Sequence, residues 1–479
     1  MSSVQQLLGY LVALYVGWRI LRSFARRSPL ENIPGPASES FISGNVEKIM
    51  DPRASWDYQR GLVERYGRLC TIHGLFSAKW LYTYDPRALQ SIFIKDQDVF
   101  EETDMLITSF KLLTGPGLIS TLGDQHRRQR KMLNPVFSAK HLRGMTPIFN
   151  AITHRLVDAI SSRVEKGTME IDVLGWMSRT ALDLIGQGGL GYSFDPLTED
   201  KADDFADSLK AFFPISAQIP MAVQQLLPWL VRIGPSSFRR RVVEIAPHGT
   251  VTQRMKHISD VMYARSTEIV NEKKAALTRG DVAVKEQLGE GKDLMSVLLQ
   301  ANMTASVEDR LTDEEVIAQV SYSPVRAVFR IVPKDAMLPL SAPIRGLDGS
   351  LINVVPVTKG MRIATDIEAS NCNKEIWGED AYEWKPERWL KPLPPSVDNA
   401  RIPGVYSHLM TFIGGSRSCI GFKFSQLEMK IVLAMLLPAF RFELSERPVF
   451  WNAAGVAYPS AGDYSTKPEM PLRVTRITL

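Results

Sequence analysis

The chain has 479 residues, enough for one large domain or two to three smaller ones. Hydrophobic residues are 45% of it, an ordinary globular share that can build a large core. A net charge of +5 with both signs interspersed is too weak and too mixed for a nucleic-acid partner, and none is expected. Cys70, Cys372 and Cys419 are the only cysteines and lie far apart; they make no disulfide framework and suit a reducing compartment.

The amino terminus opens on an apolar run. Leu7 to Trp18 carries no charge, Arg19 interrupts, and Ile20 and Leu21 follow. The run is short against the ~20 residues of a spanning helix, and snorkelling by Arg19 and Arg22 extends it. Arg22, Arg26 and Arg27 flank its carboxyl side, which places the rest of the chain in the cytoplasm. A cleaved signal would carry basic residues before the run and a small-residue cleavage site after it, and neither is present. An interfacial helix and a plain core helix remain as alternatives. Residues 1–28 are therefore expected to be a membrane anchor with a basic flank. Residues 29–43 are expected to be a Pro-rich hinge, in which Pro34-Gly35-Pro36 stops any helix and stiffens the bend. Residues 44–479 are expected to form the main domain.

Leu69 to Tyr84 alternates as a pair of strands, with Gly74 and Ser77 at the turn and Cys70 as a small buried hydrophobe. From Asp85-Pro86 the pattern is predominantly helical as far as residue 320. Asn271 to Lys292 is the most polar stretch and reads as an exposed connection. Gly123 to Lys131 is the strongest basic cluster, and alone it reads as a solvated helix face. Val325 to Val332 and Leu351 to Val357 read as strands, with Leu347-Asp348-Gly349-Ser350 turning into the second. Cys372 and His408 have no companion at zinc-ligand spacing.

Phe412 to Gly421 is the stretch with the densest chemistry. Cys419 stands in a tight loop that opens an apolar helix, with Phe424, Leu427, Ile431 and Met435 on one face and an end near Pro438. A helix N-terminus and the neighbouring Arg417 both favour the thiolate. Gly415 and Gly421 would let backbone approach a flat ligand. A thiolate presented this way suits a soft-ligand iron centre.

The spacing Phe412-x-x-Gly415-x-Arg417-x-Cys419-x-Gly421 resembles the haem-binding loop of the cytochrome P450 family, in its membrane-bound, fungal-like form. The resemblance implies a mainly α fold with small β-sheets and a haem cofactor. Cys419 would be the axial thiolate of the iron, favouring O–O cleavage, and Arg417 would pair with a haem propionate. It also carries His126 and Arg130 onto the propionates, with His126 where a tryptophan is more usual. Helical i, i+4 spacing puts the two on one face. Arg330, six residues after Pro324, is the third propionate candidate. Thr103 to Leu122 would line the substrate pocket, and Tyr382 to Trp389 resembles the Pro-Glu-Arg-aromatic box. A Pro-rich hinge at residues 29–43 also fits the membrane-bound members.

The implied function is monooxygenation of a lipophilic small molecule at the cytoplasmic face of the endoplasmic reticulum. Electrons would come from NADPH through a separate flavin reductase, since this chain has no Gly-rich dinucleotide fingerprint. A basic face around Arg417 and Lys423 would dock that acidic partner.

One part of the family pattern is absent. Thr312-Asp313-Glu314-Glu315 is a capping box opening a helix. In the family that helix crosses the distal face of the haem and carries an acid–Thr pair for proton delivery, and a later helix carries Glu-x-x-Arg. Here Gln319-Val320-Ser321 runs straight into Tyr322-Ser323-Pro324, Glu-x-x-Arg occurs nowhere, and the one acid–Thr dipeptide is Glu102-Thr103. The fold is thus expected to be incomplete, with Arg388 deprived of its Glu-Arg partners and apolar surface left exposed. Two rival readings follow: an inactive or haem-binding-only relic, and a haem-thiolate isomerase or dehydratase.

Overall fold

The computed structural model describes residues 28–194, 197, 204–280, 293–306, 308–320, 327–454, 456–463, 465 and 467–477. Residues 1–27, which hold nearly all of the expected anchor, and the junction at 321–326 lie outside the described residues.

The strands are β1 (Leu69–His73), β2 (Lys79–Thr83), β3 (Glu101–Glu102), β4 (Met169–Asp172), β5 (Ala327–Ile331), β6 (Ala336–Arg345), β7 (Leu351–Val357), β8 (Arg362–Asp366), β9 (Phe440–Leu444), β10 (Val449–Ala454), β11 (Val456–Ala461) and β12 (Pro471–Arg476). The principal helices are α1 (Ser55–Tyr66), α2 (Asp104–Thr114), α3 (Gly123–Leu133), α4 (Thr146–Arg163), α5 (Val173–Ile185), α6 (Asp204–Ser216), α7 (Met221–Leu230), α8 (Ser236–Glu244), α9 (Val251–Arg279), α10 (Leu294–Thr304), the short α11 (Asp313–Ile317) and α12 (Phe422–Ala439). The molecule is mainly helical with small sheets, as expected.

The largest sheet has the order β1-β2-β8-β5-β3. Its β2–β8 pair is parallel and its other pairs are antiparallel. One face packs Leu69, Leu81 and Ile363 into a core shared with β6, β7 and the segment leading to Cys419. The other buries Cys70, Ile72 and Tyr82 toward α1. Period-2 alternation feeds both faces, which is why this hairpin is legible in the sequence.

The helical side has two cores. One joins α2, α3, α6, α9 and α10, where Phe110, Phe212, Ile269 and Leu298 meet. The other joins α4 to α12 through Phe149 and Phe424, whose rings are 5.0 Å apart and edge to face. The α2, α9 and α11 starts are capped by Thr103, Thr250 and Thr312, each accepting from a backbone N–H three residues on. Such a cap contributes about 1 kcal/mol.

Two local features differ from the sequence expectations. Asn271 to Arg279 is not a connection but the last turns of α9. Lys273 there is buried and pairs with Asp293 at 2.9 Å, and Gly280 ends the helix at φ +100°. Residues 281–292 lie outside the described residues. β6 has no counterpart in the sequence reading, because Pro339 and Pro343 disguise it; the β6–β7 ladder is irregular between Pro339 and Ile344. The Pro-rich segment is docked rather than spanning a gap. Leu30 and Ile33 are buried in the sheet core, and the Pro34 carbonyl accepts from Thr71 N–H at 2.9 Å. α12 ends at Ala439, near Pro438 as expected, before β9 begins.

Candidate haem site

The Cys419 loop is built by its own backbone. Ile413 takes a left-handed φ of +47°, and Gly415 to Arg417 forms one tight turn in which Ser418 N–H donates to the Gly415 carbonyl at 3.1 Å. Cys419 N–H then donates to the Phe412 carbonyl at 3.0 Å. Half-buried Cys419 is thereby fixed three residues before Phe422, the first residue of α12.

The two glycines separate in role. Gly415 has φ +70°, and a Cβ there would stand 1.8 Å from the Phe93 carbonyl oxygen. Its smallness is demanded by neighbouring backbone, not by a flat ligand as expected. A Cβ at Gly421 would meet only the Phe137 ring edge, at an ordinary 3.8 Å. The protein itself does not require glycine there, which leaves Gly421 as the position for close approach of another group.

Arg417 turns inward. Its Nε lies 3.1 Å from Glu102 Oε2, while its other nitrogens donate to the carbonyls of Leu118 at 3.3 Å and Thr121 at 2.6 Å. Arg330 is among the largest fully buried side chains and pairs through Nη1 with the same Glu102. The β3–β5 ladder sets this contact, because Glu102 and Arg330 stand opposite each other in its register. The Arg330 guanidinium also lies 5.1 Å over the Phe93 ring. Its Nε is buried without a hydrogen-bond partner among the described residues. Burial lowers the pKa of Arg417; Glu102 raises it and Arg330 lowers it further.

His126 and Arg130 share a face of α3 but part company. His126 is buried and lines one cleft together with Phe93, Glu102, Arg330 and Arg417. Burial, then the charges of Arg417 and Arg130, push its pKa down to about 3. The ring is therefore neutral near pH 7, with one N–H to give and one lone pair. Arg130 lies outside that cleft and donates to the Ser418 carbonyl at 2.5 Å and hydroxyl at 3.0 Å. It braces the residue before Cys419 rather than joining the other arginines.

Arg330, Arg417 and His126 thus share a cleft with Glu102, with Asp98 and Glu101 also lining it, and one arginine nitrogen is buried without an acceptor among the described residues. A buried unpaired donor is costly and calls for an oxygen acceptor. The carboxylates of a haem fit this donor set, and the Cys419 sulfur fits its iron. When bound, a thiolate-held haem iron supplies the oxygen chemistry.

The sequence reading missed Glu102 and Ser418 because nothing local marks them: their partners are 228 and 288 residues away. It also missed the reach of Glu315. That carboxylate closes the α11 capping box and accepts from Gln125, Arg128 and Gln129 on α3. Burial would raise its pKa, but the Thr312 N–H and those side chains hold it at about 2. Arg388 is not stranded, contrary to expectation. It donates to the Trp377 carbonyl at 2.8 Å and the Asp380 carbonyl at 2.9 Å, and pairs with the Asp380 carboxylate. Arg417, committed to Glu102, offers no charge to a docking face; Lys423 stays exposed.

The cytochrome P450 family model matches residues 34–322 and 347–456. Cytochrome P450 monooxygenase 91 of Postia placenta is 46% identical over 97% of this chain and 97% of its own length. Cytochrome P450 monooxygenase 81 of the same fungus is 43% identical over 98% of this chain and 97% of its own. Ganoderic acid synthetase CYP5150L8 of Ganoderma lucidum is 41% identical over 96% and 97%. These alignments run 530 to 532 positions across a chain of 479 residues, so each relative carries residues that this chain lacks. With the motif spacing, the mainly helical architecture and similarity along nearly the whole length in agreement, the chain belongs to the cytochrome P450 family of haem-thiolate monooxygenases.

Proposed function

We propose that this chain binds haem with Cys419 as the axial thiolate and Arg330, Arg417 and His126 as propionate donors, in a fold whose full-length form oxidises a lipophilic small molecule at a membrane. The reaction is R–H + O2 + two electrons + two protons giving R–OH and water. The observation that carries the reading is the convergence of three donors on one cleft beside the Cys419 loop. The protein's share of the work is orientation. Phe412 and Arg130 fix the two ends of the Ser418–Cys419 peptide, the α12 dipole favours its thiolate, and Gly421 leaves room for the ring system.

Electrons are proposed to come from NADPH through a separate flavin reductase. Lys423 and Lys430, two turns apart on α12 and both exposed, replace Arg417 as the basic face for it. Residues 1–28 remain the proposed anchor; among the described residues no helix is long and apolar enough to cross a membrane. A second membrane contact is supported by α7 and α8. Trp229, Ile233, Phe238, Val242 and Ile245 are all exposed there, beside Arg232 and Arg241. An apolar face turned to solvent and flanked by arginines suits a lipid interface.

The relic reading has its own observation. Met429, Leu433 and Leu437 form an exposed stripe at i, i+4, i+8 on α12. The longer relatives are consistent with a covering block that this chain lacks near residues 320–323. We therefore place haem binding within reach of this chain and efficient oxygen chemistry outside it.

The test is the ferrous–CO spectrum of the full chain and of Cys419→Ser. A red-shifted Soret band in the first and not the second supports the ligand assignment; the same spectrum in both overturns it. Product formed without NADPH or reductase would favour the isomerase reading instead.

A further inference from the structure

Glu102 presents to Arg330 and Arg417 the same chemical group that a haem propionate would. Its two oxygens are divided between them, one to Arg330 Nη1 and the other to Arg417 Nε. Nη1 and Nη2 of Arg417 each donate once as well, to the Leu118 and Thr121 carbonyls, so an incoming carboxylate reaches the Nε position only by displacing Glu102. Glu102 is buried and held in the β3–β5 ladder directly across from Arg330. A substitute at this position cannot drift away as a surface side chain would.

Resting on the haem-site reading above, we propose that Glu102 is a built-in competitor for the propionate donors, and that it sets how tightly the chain takes haem. Two effects point the same way. Glu102 keeps two neighbouring guanidiniums neutralised, which stabilises the protein before haem arrives. It also holds Arg330 Nη1 and Arg417 Nε, so propionates can engage both arginines at those nitrogens only in molecules with Glu102 displaced. Removing the carboxylate raises the energy of the first state and removes the competition in the second. Haem affinity must then rise, although the protein becomes less stable on its own.

A positioning carboxylate that merely orients the arginines predicts the opposite sign. In that case its loss would slacken both side chains and weaken haem binding. The sign of one binding constant separates the two.

The experiment titrates the full chain with haem and with haem dimethyl ester, whose propionates carry no charge, and reads the Soret absorbance. Glu102→Gln is expected to bind haem roughly tenfold more tightly than the unmodified chain. Its affinity for the dimethyl ester should not change. Because the glutamine leaves Arg330 buried and unneutralised, a second pair guards against misfolding: Arg330→Gln alone and Arg330→Gln with Glu102→Gln. The double variant should bind haem more tightly than the single, since Arg417 is then released. Equal or weaker haem affinity on losing Glu102 in both backgrounds overturns the proposal. So does an equal gain for haem and its ester, which would make the effect one of packing. If the unmodified chain takes no haem, or takes haem and ester alike, the haem-site reading falls and this proposal falls with it. If it discriminates between them and the Glu102 variants do not tighten binding, only the competitor role is lost.

Discussion

Arg130 holds both the carbonyl and the hydroxyl of Ser418, the residue immediately before Cys419. Helix α3 thus fixes the peptide that aims the sulfur. Hydrogen bonds from a charged donor contribute roughly 1.5–3 kcal/mol each. Arg130→Ala should therefore loosen the loop without removing the ligand. The expected result is haem dissociation faster by about tenfold or more, with a growing share of the ferrous–CO spectrum lacking the thiolate signature. Arg130→Lys, which keeps the charge but one contact fewer, should fall between. An unchanged spectrum and dissociation rate in the alanine variant would show that Phe412 alone positions the loop.

Acid should unfold the chain in two steps with identifiable sources. His126 has its pKa lowered from 6.5 to about 3 in the folded chain. The unfolded chain therefore binds a proton that the folded chain refuses, and stability falls as pH drops from 6.5 toward 3. Glu315 is lowered from 4.5 to about 2, so its contribution is lost between those values. Urea midpoints measured from pH 7 downward should show both slopes. His126→Gln should flatten the upper one and Glu315→Gln the lower. Haem should narrow the upper window as well, because propionate charges offset the arginines that depress His126. Parallel profiles for all three proteins would refute the assignment.

The parts of this protein that were legible in the sequence are those set by short-range rules. The β1–β2 hairpin, the Thr312 cap and the Cys419 loop each announce themselves within about ten residues, through alternation, capping chemistry or fixed spacing. Arg330 and Arg417 were legible only by resemblance. Their pairing with Glu102 was not, since it depends on a two-residue strand finding β5 across the chain. The rescue of Arg388 by carbonyls was equally hidden, because any carbonyl can accept and sequence does not mark which one will. Gly415 misled for a related reason. A glycine in a cofactor loop invites a ligand explanation, whereas the clash is with Phe93 backbone.

That distinction between the two loop glycines can be measured. Gly415→Ala should destabilise the chain by about 2 kcal/mol or more, from positive φ and backbone overlap together. Gly421→Ala should leave the haem-free melting temperature nearly unchanged, since its added methyl meets only ordinary contact. The same variant should take haem more weakly, if the ring system lies against that backbone. Full haem affinity in Gly421→Ala would remove it from the site.

Membrane attachment should have two separable parts. Deleting residues 1–28 should release most of the protein, and residual binding should depend on the α7–α8 face. Trp229→Asp with Phe238→Asp in the truncated chain should abolish that residue, as measured by flotation with anionic vesicles. Both positions are strongly exposed, so folding should be preserved. Truncated protein that floats as fully as the intact chain would show that the apolar run at Leu7–Leu21 is not the anchor. Truncated protein whose residual binding ignores both aspartates would remove α7 and α8 from the membrane contact.

The last prediction concerns turnover. The loop, the candidate propionate donors and α12 are present, but the chain carries neither the distal acid–Thr pair nor Glu-x-x-Arg. Losing a positioned proton donor typically costs ~10²–10⁴ in rate. Losing the wall that positions substrate and excludes water should cost more. The exposed stripe of Met429, Leu433 and Leu437 marks surface for such a wall to cover. The 479-residue chain should therefore consume NADPH with little product. A version carrying the corresponding block from a longer relative such as the Postia placenta monooxygenase should couple the two. Both forms would be expressed with a flavin reductase and assayed for product per NADPH on a panel of lipophilic substrates. The restored form should also bury the α12 stripe and lose its binding of apolar dyes. Equal coupled turnover by the short form would show that the block is dispensable and that protons reach the reaction by another route.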